Sequence, residues 1–253
     1  MTLPTAHGPG LREILALSPA QSAAPDQQRR TLLARGGALL AAAAGTTGTA
    51  AWGQGAPAAA RPWARAAAAS VDAQRLAHWV LYTADHQGMA FSVIDKPAAR
   101  IHVFSPEGGH AGSAPVLLGS ALGDRSAPGI GQRPLAQIRA HERTTPAGRF
   151  VSEPGRNLQG DDIVWIDYQA AVSLHRVRGN PAERRVQRLA SAVLAERRIS
   201  HGCVNAPADF YNRAIAPWFG REAGVVYVLP DSEPFATFFP AANAAYPATD
   251  LPA

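Results

Sequence analysis

Ile199-Ser200-His201-Gly202-Cys203-Val204-Asn205-Ala206-Pro207 contains the single cysteine of a 253-residue chain. A lone thiol forms no intrachain disulfide, so it is either a small buried hydrophobe or a reactive group, and its neighbours decide which. Gly202 permits close backbone approach, so that amide N–H groups line an oxyanion site. Asn205 reads as the N-cap of a helix from about Ala206 to Ala216, which Pro217 should kink or end. That places Cys203 just ahead of a helix N-terminus. There the positive end of the helix dipole, with a nearby imidazolium, lowers a thiol pKa toward the reactive range. The stretch therefore reads as a nucleophile.

A thiol nucleophile needs a base. None of the eight histidines follows Cys203. The base must therefore precede it, an order unlike that of papain-like peptidases. His175 and His201 are the candidates. His201 is tied to Cys203 through Gly202 alone, which restricts its approach to the sulfur. His175 ends the apolar segment Ala171-Val172-Ser173-Leu174 and is presented from a separate strand, so it is expected to be the main base. His102, His110 and His141 show no metal-ligand spacing, and no metal or cofactor is assigned.

Outward from this stretch the elements are short. Ala73, Leu76, Ala77, Val80, Leu81 and Ala84 recur at helical spacing behind Ser70, a plausible N-cap. Phe91 and Val93, the turn Asp95-Lys96-Pro97, then Ile101 and Val103 read as a β-hairpin. Further strands are expected at 115–119, 163–168, 171–174 and 225–229, with a Gly/Pro-rich loop at 123–134. Between His175 and Ser200, Asn180 and Pro181 open a helix to Ala195, with Val186, Leu189, Ala190, Val193 and Leu194 on one face. Its run Glu183-Arg184-Arg185 reads as a solvated face or a wall of the site. Residues 231–253 are rich in Pro and Ala and read as an irregular tail. The fold class is β-rich α+β.

Hydrophobic residues make up 47% of the chain, enough for a sizeable core. The net charge of +5 is mostly N-terminal: residues 1–65 carry six arginines against Glu13 and Asp26. The rest is nearly neutral, which gives no reason to expect a nucleic-acid partner. Lys96 is the only lysine, and positive charge is otherwise arginine. Arg29-Arg30, the weakly apolar Gly36 to Ala51 and the small residues Ala58-Ala59-Ala60 form the three parts of an export signal, of secretory or twin-arginine type. The apolar part is too short and polar for a stable membrane span. The expected organisation is a leader over 1–60, a linker and helix over 61–87, a catalytic domain over 88–230 and the tail.

Ser200-His201-Gly202-Cys203-Val204-Asn205 resembles the nucleophile motif of the L,D-transpeptidase catalytic-domain family, in which a histidine and a spacer precede Ser/Thr-His-Gly-Cys-hydrophobic-Asn. Thr145-Pro146-Ala147-Gly148-Arg149-Phe150 resembles the family's Thr-Pro-x-Gly-x-Phe segment, and the hairpin at 91–104 its opening strands. The likeness covers about residues 88–230. It implies a catalytic β-sandwich or barrel with a few peripheral helices. It also implies a periplasmic or envelope enzyme that acts on peptidoglycan stem peptides and is open to carbapenem-type inhibitors. Cys203 would attack the carbonyl of the third stem residue, the terminal D-Ala would leave, and an amine would resolve the thioester. By the same likeness His175 matches the base, and His201, Ser200 and Gly202 match supporting groups. Two features depart from the pattern: the spacer between His175 and Ser200 is longer than usual, and Arg176 stands where Gly is common. A hydrolase of the same chemistry, carboxypeptidase or endopeptidase, and a non-catalytic wall-binding protein are the alternatives.

Overall fold

A computed structural model describes residues 69–179 and 181–245. The expected leader, the N-cap Asn180 and the last eight residues lie outside the described residues.

Helix α1 (Val71–Thr83) begins where expected: Ser70 Oγ accepts from Ala73 N at 3.2 Å. Ser70 N in turn donates to Asp95 Oδ2 at 3.0 Å, which fixes the helix start to the end of the first strand. The hairpin is also as read. Strands β1 (Phe91–Asp95) and β2 (Arg100–Phe104) pair antiparallel with Phe91 opposite Phe104 and Ile94 opposite Ile101. The third strand lies earlier than expected, at β3 (His110–Pro115). The apolar run behind it supplies only the two-residue β4 (Leu118–Gly119).

The longest strand, β5 (Gly148–Arg156), was not foreseen. It is followed by β6 (Asp162–Asp167) and β7 (Val172–Arg176), both near their expected places. Two three-residue strands, β8 (Arg198–Ser200) and β9 (Val204–Ala206), bracket Cys203. The last strand is β10 (Gly224–Val228).

Eight strands form one sheet in the order β3-β2-β1-β10-β5-β6-β7-β9. The long β5 makes the corner. Its first half, Gly148 to Ser152, pairs with β10, and its second half, Glu153 to Arg156, pairs with β6. Beyond β3 the chain returns across the far edge. Leu117 and Asn205 exchange backbone hydrogen bonds of 2.9 Å in each direction, and β4 pairs with β8. The sheet is thereby nearly closed into a barrel, and the fold is strand-rich α+β.

Both faces of the central strands are covered, so β1 and β10 are buried throughout. In β10, Val226 and Val228 face the interior with Ile94, Val164, Leu174 and Val204. Val225 and Tyr227 face the other way, against Leu76 and Val80 of α1. The segment expected to be an irregular tail contributes to that outer layer. Helices at Phe235–Phe238 and Pro240–Ala245 place Phe235, Phe239 and Ala242 in it.

Two helical expectations are corrected. Among its described residues, the segment after His175 holds only α2 (Arg185–Ala190) and a 3-10 turn at Leu194–Arg197. Its helical periodicity does not make a buried stripe: Leu189 is buried, while Val186, Val193 and Leu194 are 54%, 56% and 45% exposed. The next helical segment starts at Ala208, not Ala206, and runs past Pro217 to Phe219. It tolerates the proline by opening into a π-turn over Tyr211–Ile215, which relieves the ring's clash with the preceding turn. Among the described residues no helix is long and apolar enough to cross a membrane.

Candidate active site

Strands β7 and β9 run parallel, with His175 opposite Asn205 and Leu174 opposite Val204. One rung earlier, Ser173 faces Cys203, and its Oγ lies 3.6 Å from Sγ. Alternation puts residues 173, 175, 203 and 205 on one face. His175 is therefore a diagonal neighbour of Cys203, not its direct partner. Cys203, His175, His201, Ser200 and Asn205 all line one cavity of about 230 Å³, together with Arg185, Arg178, Asn157, Gln159, Ile163 and Leu135.

The turn that carries Cys203 is held from three sides. Ser200 Oγ donates to Cys203 O at 2.6 Å and accepts from Gly202 N at 3.1 Å. Gly202 sits at φ +131°, and a Cβ there would lie 2.7 Å from Thr144 O, so no other residue fits. Thr145 Oγ1 donates to Gly202 O at 2.8 Å while accepting from Gly119 N at 2.9 Å. The two motifs quoted from the sequence, 57 residues apart, thus meet in a buried hydrogen bond.

Several expected details are corrected. Cys203 lies between two strands rather than at a helix start. Asn205 is a strand residue, and Pro207 stands at the helix N-cap position. No helix dipole acts on the thiol from there. The Gly202 N–H is committed to Ser200 Oγ, which makes Ser200 and Gly202 turn-formers. The thiol is not activated at rest. Burial pushes Cys203 above its ordinary pKa, against the opposing pull of Ser173 and of the Arg185 charge. Sγ lies 3.7 Å from the Ala171 carbonyl, which accepts its proton.

The protonation of His175 follows from its partners. Arg185 can only donate, and its Nη1 lies 2.7 Å from Asn205 Oδ1. Asn205 must then turn its amide nitrogen to His175 Nε2, 3.0 Å away. That nitrogen is consequently an acceptor, and the ring proton sits on Nδ1, which donates to the Arg176 carbonyl at 2.8 Å. Burial, reinforced by the charges of Arg178 and Arg185, holds His175 at about 4, although the bond to Arg176 O opposes this. His201 is half-buried, and its pKa is likewise lowered by burial and by Arg143 and Arg185. At neutral pH the resting site is a neutral thiol beside a neutral imidazole whose Nε2 lone pair is the basic position.

Arg185 bears out one of the two readings of its run, a wall of the site, but its individual role has no sign in the sequence. It belongs to the run read as a solvated face or wall, and it reaches into the site. Its Nε donates to Glu183 at 2.6 Å and its Nη1 holds Asn205. Nothing local marks it, since Arg184 beside it has the same character. Lys96 was passed over. Its turn was read correctly, but the side chain is fully buried. It donates to Thr145 O at 2.7 Å, Gly123 O at 2.8 Å and Asp124 Oδ1 at 2.7 Å.

No family model matches the chain, and no curated protein matches it. Among solved structures it is similar to that of the L,D-transpeptidase (residues 123–326) from Xylanimonas cellulosilytica, with 14% identity and a TM-score of 0.30. The alignment covers 55% of this chain and 60% of that one, so it spans less than two thirds of the relative's length.

Proposed function

We propose that the chain is a cysteine acyltransferase of L,D-transpeptidase type, exported to the cell envelope and acting on peptidoglycan stem peptides. The observation that carries this reading is the turn at 200–203. It puts the only thiol of the chain in a cavity with His175, and Thr145 of the Thr-Pro-Ala-Gly-Arg-Phe segment supports it through a direct hydrogen bond.

In this reading the resting site is switched on by substrate. The thiol turns from Ala171 O toward His175 Nε2, which exchanges the Asn205 amide for the thiol proton. The imidazolium so formed keeps its Nδ1–H on Arg176 O, which fixes the ring. The sulfur attacks the scissile carbonyl, a C–S bond forms, and the C–N bond breaks. His175 returns its proton to the leaving amine. The acceptor amine then attacks the thioester and its proton passes to His175; a C–N bond forms, the C–S bond breaks, and His175 gives the proton to the departing sulfur, which restores the Cys203 thiol. His201 borders the same cavity and acts on its shape and charge.

Intact-protein mass spectrometry with a tetrapeptide-containing disaccharide tests this. The wild type should gain the mass of the whole substrate less that of the departing D-alanine, and Cys203→Ser should gain none. An equal adduct on both proteins would remove Cys203 from the reaction. N-terminal sequencing of protein from the host envelope tests export: retention of Met1 in a cytoplasmic protein would refute it.

A further inference from the structure

We infer that Arg185 is the specificity residue of this site: its guanidinium anchors a free carboxylate on the substrate, one residue beyond the scissile carbonyl. The inference rests on the acyltransferase reading for its substrate, but the anion site itself is argued from the cavity.

The first observation is charge. The cavity that holds Cys203 is lined by two guanidiniums, Arg178 and Arg185, and by no carboxylate. The acids that balance them lie outside the lining. Arg178 pairs with Asp161 and Gln159, and Arg185 with Glu183. The second is unused valence. A guanidinium offers five N–H donors. Arg185 places Nε on Glu183 and Nη1 on Asn205, which leaves Nη2 uncommitted among the described residues. A carboxylate that reaches the cavity meets a charged donor already fixed in position, with little side-chain entropy left to lose.

The third is distance along the strand. Arg185 is held over Asn205, which lies two residues beyond Cys203 on the same face, a repeat of roughly 6–7 Å. A reacting carbonyl sits about 3–3.5 Å from the sulfur. One further extended residue adds about 3.3–3.6 Å. The terminal carboxylate of a peptide cut at its last amide bond therefore falls at the guanidinium when the peptide lies along β9. An internal amide bond, as in an existing cross-link, brings no charge to that place. The segment that separates His175 from Ser200 thus carries the device that selects chain ends.

Two measurements decide it. One needs no turnover: the ratio of Cys203 alkylation rates with iodoacetate and with iodoacetamide at pH 9, in wild type and Arg185→Gln. A guanidinium beside the sulfur favours the anionic reagent, and the ratio should fall about tenfold in the variant; an unchanged ratio overturns the anion site. The other compares acylation by the tetrapeptide disaccharide and by its C-terminal amide. The wild type should prefer the acid by roughly 10–100-fold, the usual worth of a charge-assisted pair, and Arg185→Gln should lose that preference. Taking the ratio within each protein cancels any general loss of activity or folding. Equal acylation by acid and amide in the wild type overturns the inference and leaves the acyltransferase standing. Anion-selective alkylation without acylation by either peptide does the reverse.

Discussion

Thr145 stands between two polar networks of different character. Its carbonyl belongs to one centred on Lys96, and its hydroxyl to the turn that carries Cys203. The first network is closed. The three protons of the Lys96 ammonium meet three acceptors, and Asp124 accepts from Lys96 and from the backbone N–H groups of Asp231, Ser232 and Glu233. Asp231 is held in addition by Arg198. The second network is open. Beside that turn the chain of bonds from Arg185 to Asn205 to His175 to Arg176 O faces the same cavity, with a spare guanidinium nitrogen at one end and the neutral thiol outside it. The lesson is a division of labour. A saturated network makes a rigid support, whereas reactivity needs groups whose best partner has yet to arrive.

Substitution should separate the two networks. His175→Ala should slow acylation of Cys203 by roughly 10²–10⁴-fold while leaving the circular dichroism spectrum and denaturation midpoint nearly unchanged. If His201→Ala causes that loss instead, the roles of the two imidazoles are reversed. Lys96→Met should do the opposite. It leaves Asp124 buried without its cation and should cost about 3–5 kcal/mol of folding free energy, read from urea denaturation. A stable Lys96→Met protein would dissolve the distinction between support and site.

Acid sharpens the contrast. Burial alone would raise the Asp124 carboxyl, but Lys96 and the three backbone donors outweigh it and hold the group at about 2, below its ordinary 3.8. As pH falls below 3.8 the unfolded chain takes up this proton first. The stability that the group supplies is therefore complete above 3.8 and is lost as pH drops to about 2, by roughly 2 kcal/mol. Denaturation curves between pH 2 and 5 should show this slope in the wild type and lack it in Asp124→Asn. The smallest effect belongs to the open network: Ser173→Ala removes a hydroxyl that donates to Sγ. It should move the pH midpoint of iodoacetamide alkylation upward with no change in stability.

What the sequence disclosed, and what it withheld, follows from the same physics. The hairpin was legible because apolar alternation matches the strand period. Strand β5 was not: Glu153, Pro154, Gly155 and Arg156 carry no such alternation, because much of this strand is solvent-facing and its role is to turn the sheet. Strands β8 and β9 are too short to show any period. The helical pattern around Val186 was real but unburied, since periodicity does not say whether a partner surface exists. At the site, Cys203 and His175 are legible from residue chemistry, and Thr145 only from the resemblance of its segment. The hydrogen bond from Thr145 to Gly202 had no local sign, nor did the reach of Arg185. Lys96 did leave a trace, as the one lysine among 24 basic residues. Its ammonium points three donors at three oxygen acceptors, a geometry that the planar guanidinium fork does not reproduce.

That single lysine has a chemical corollary for a protein proposed to carry a thioester awaiting an amine. Such an intermediate is open to capture by any neutral side-chain amine within reach, including those of other copies of the same enzyme. This chain has no lysine besides Lys96, and that amine is fully buried and triply bonded. The surface therefore offers the acyl group no lysine on which to be misdirected. Under that proposal, self-labelling through lysine isopeptide bonds has no site on this chain's surface, and the acyl group would be left for an amine that comes from outside.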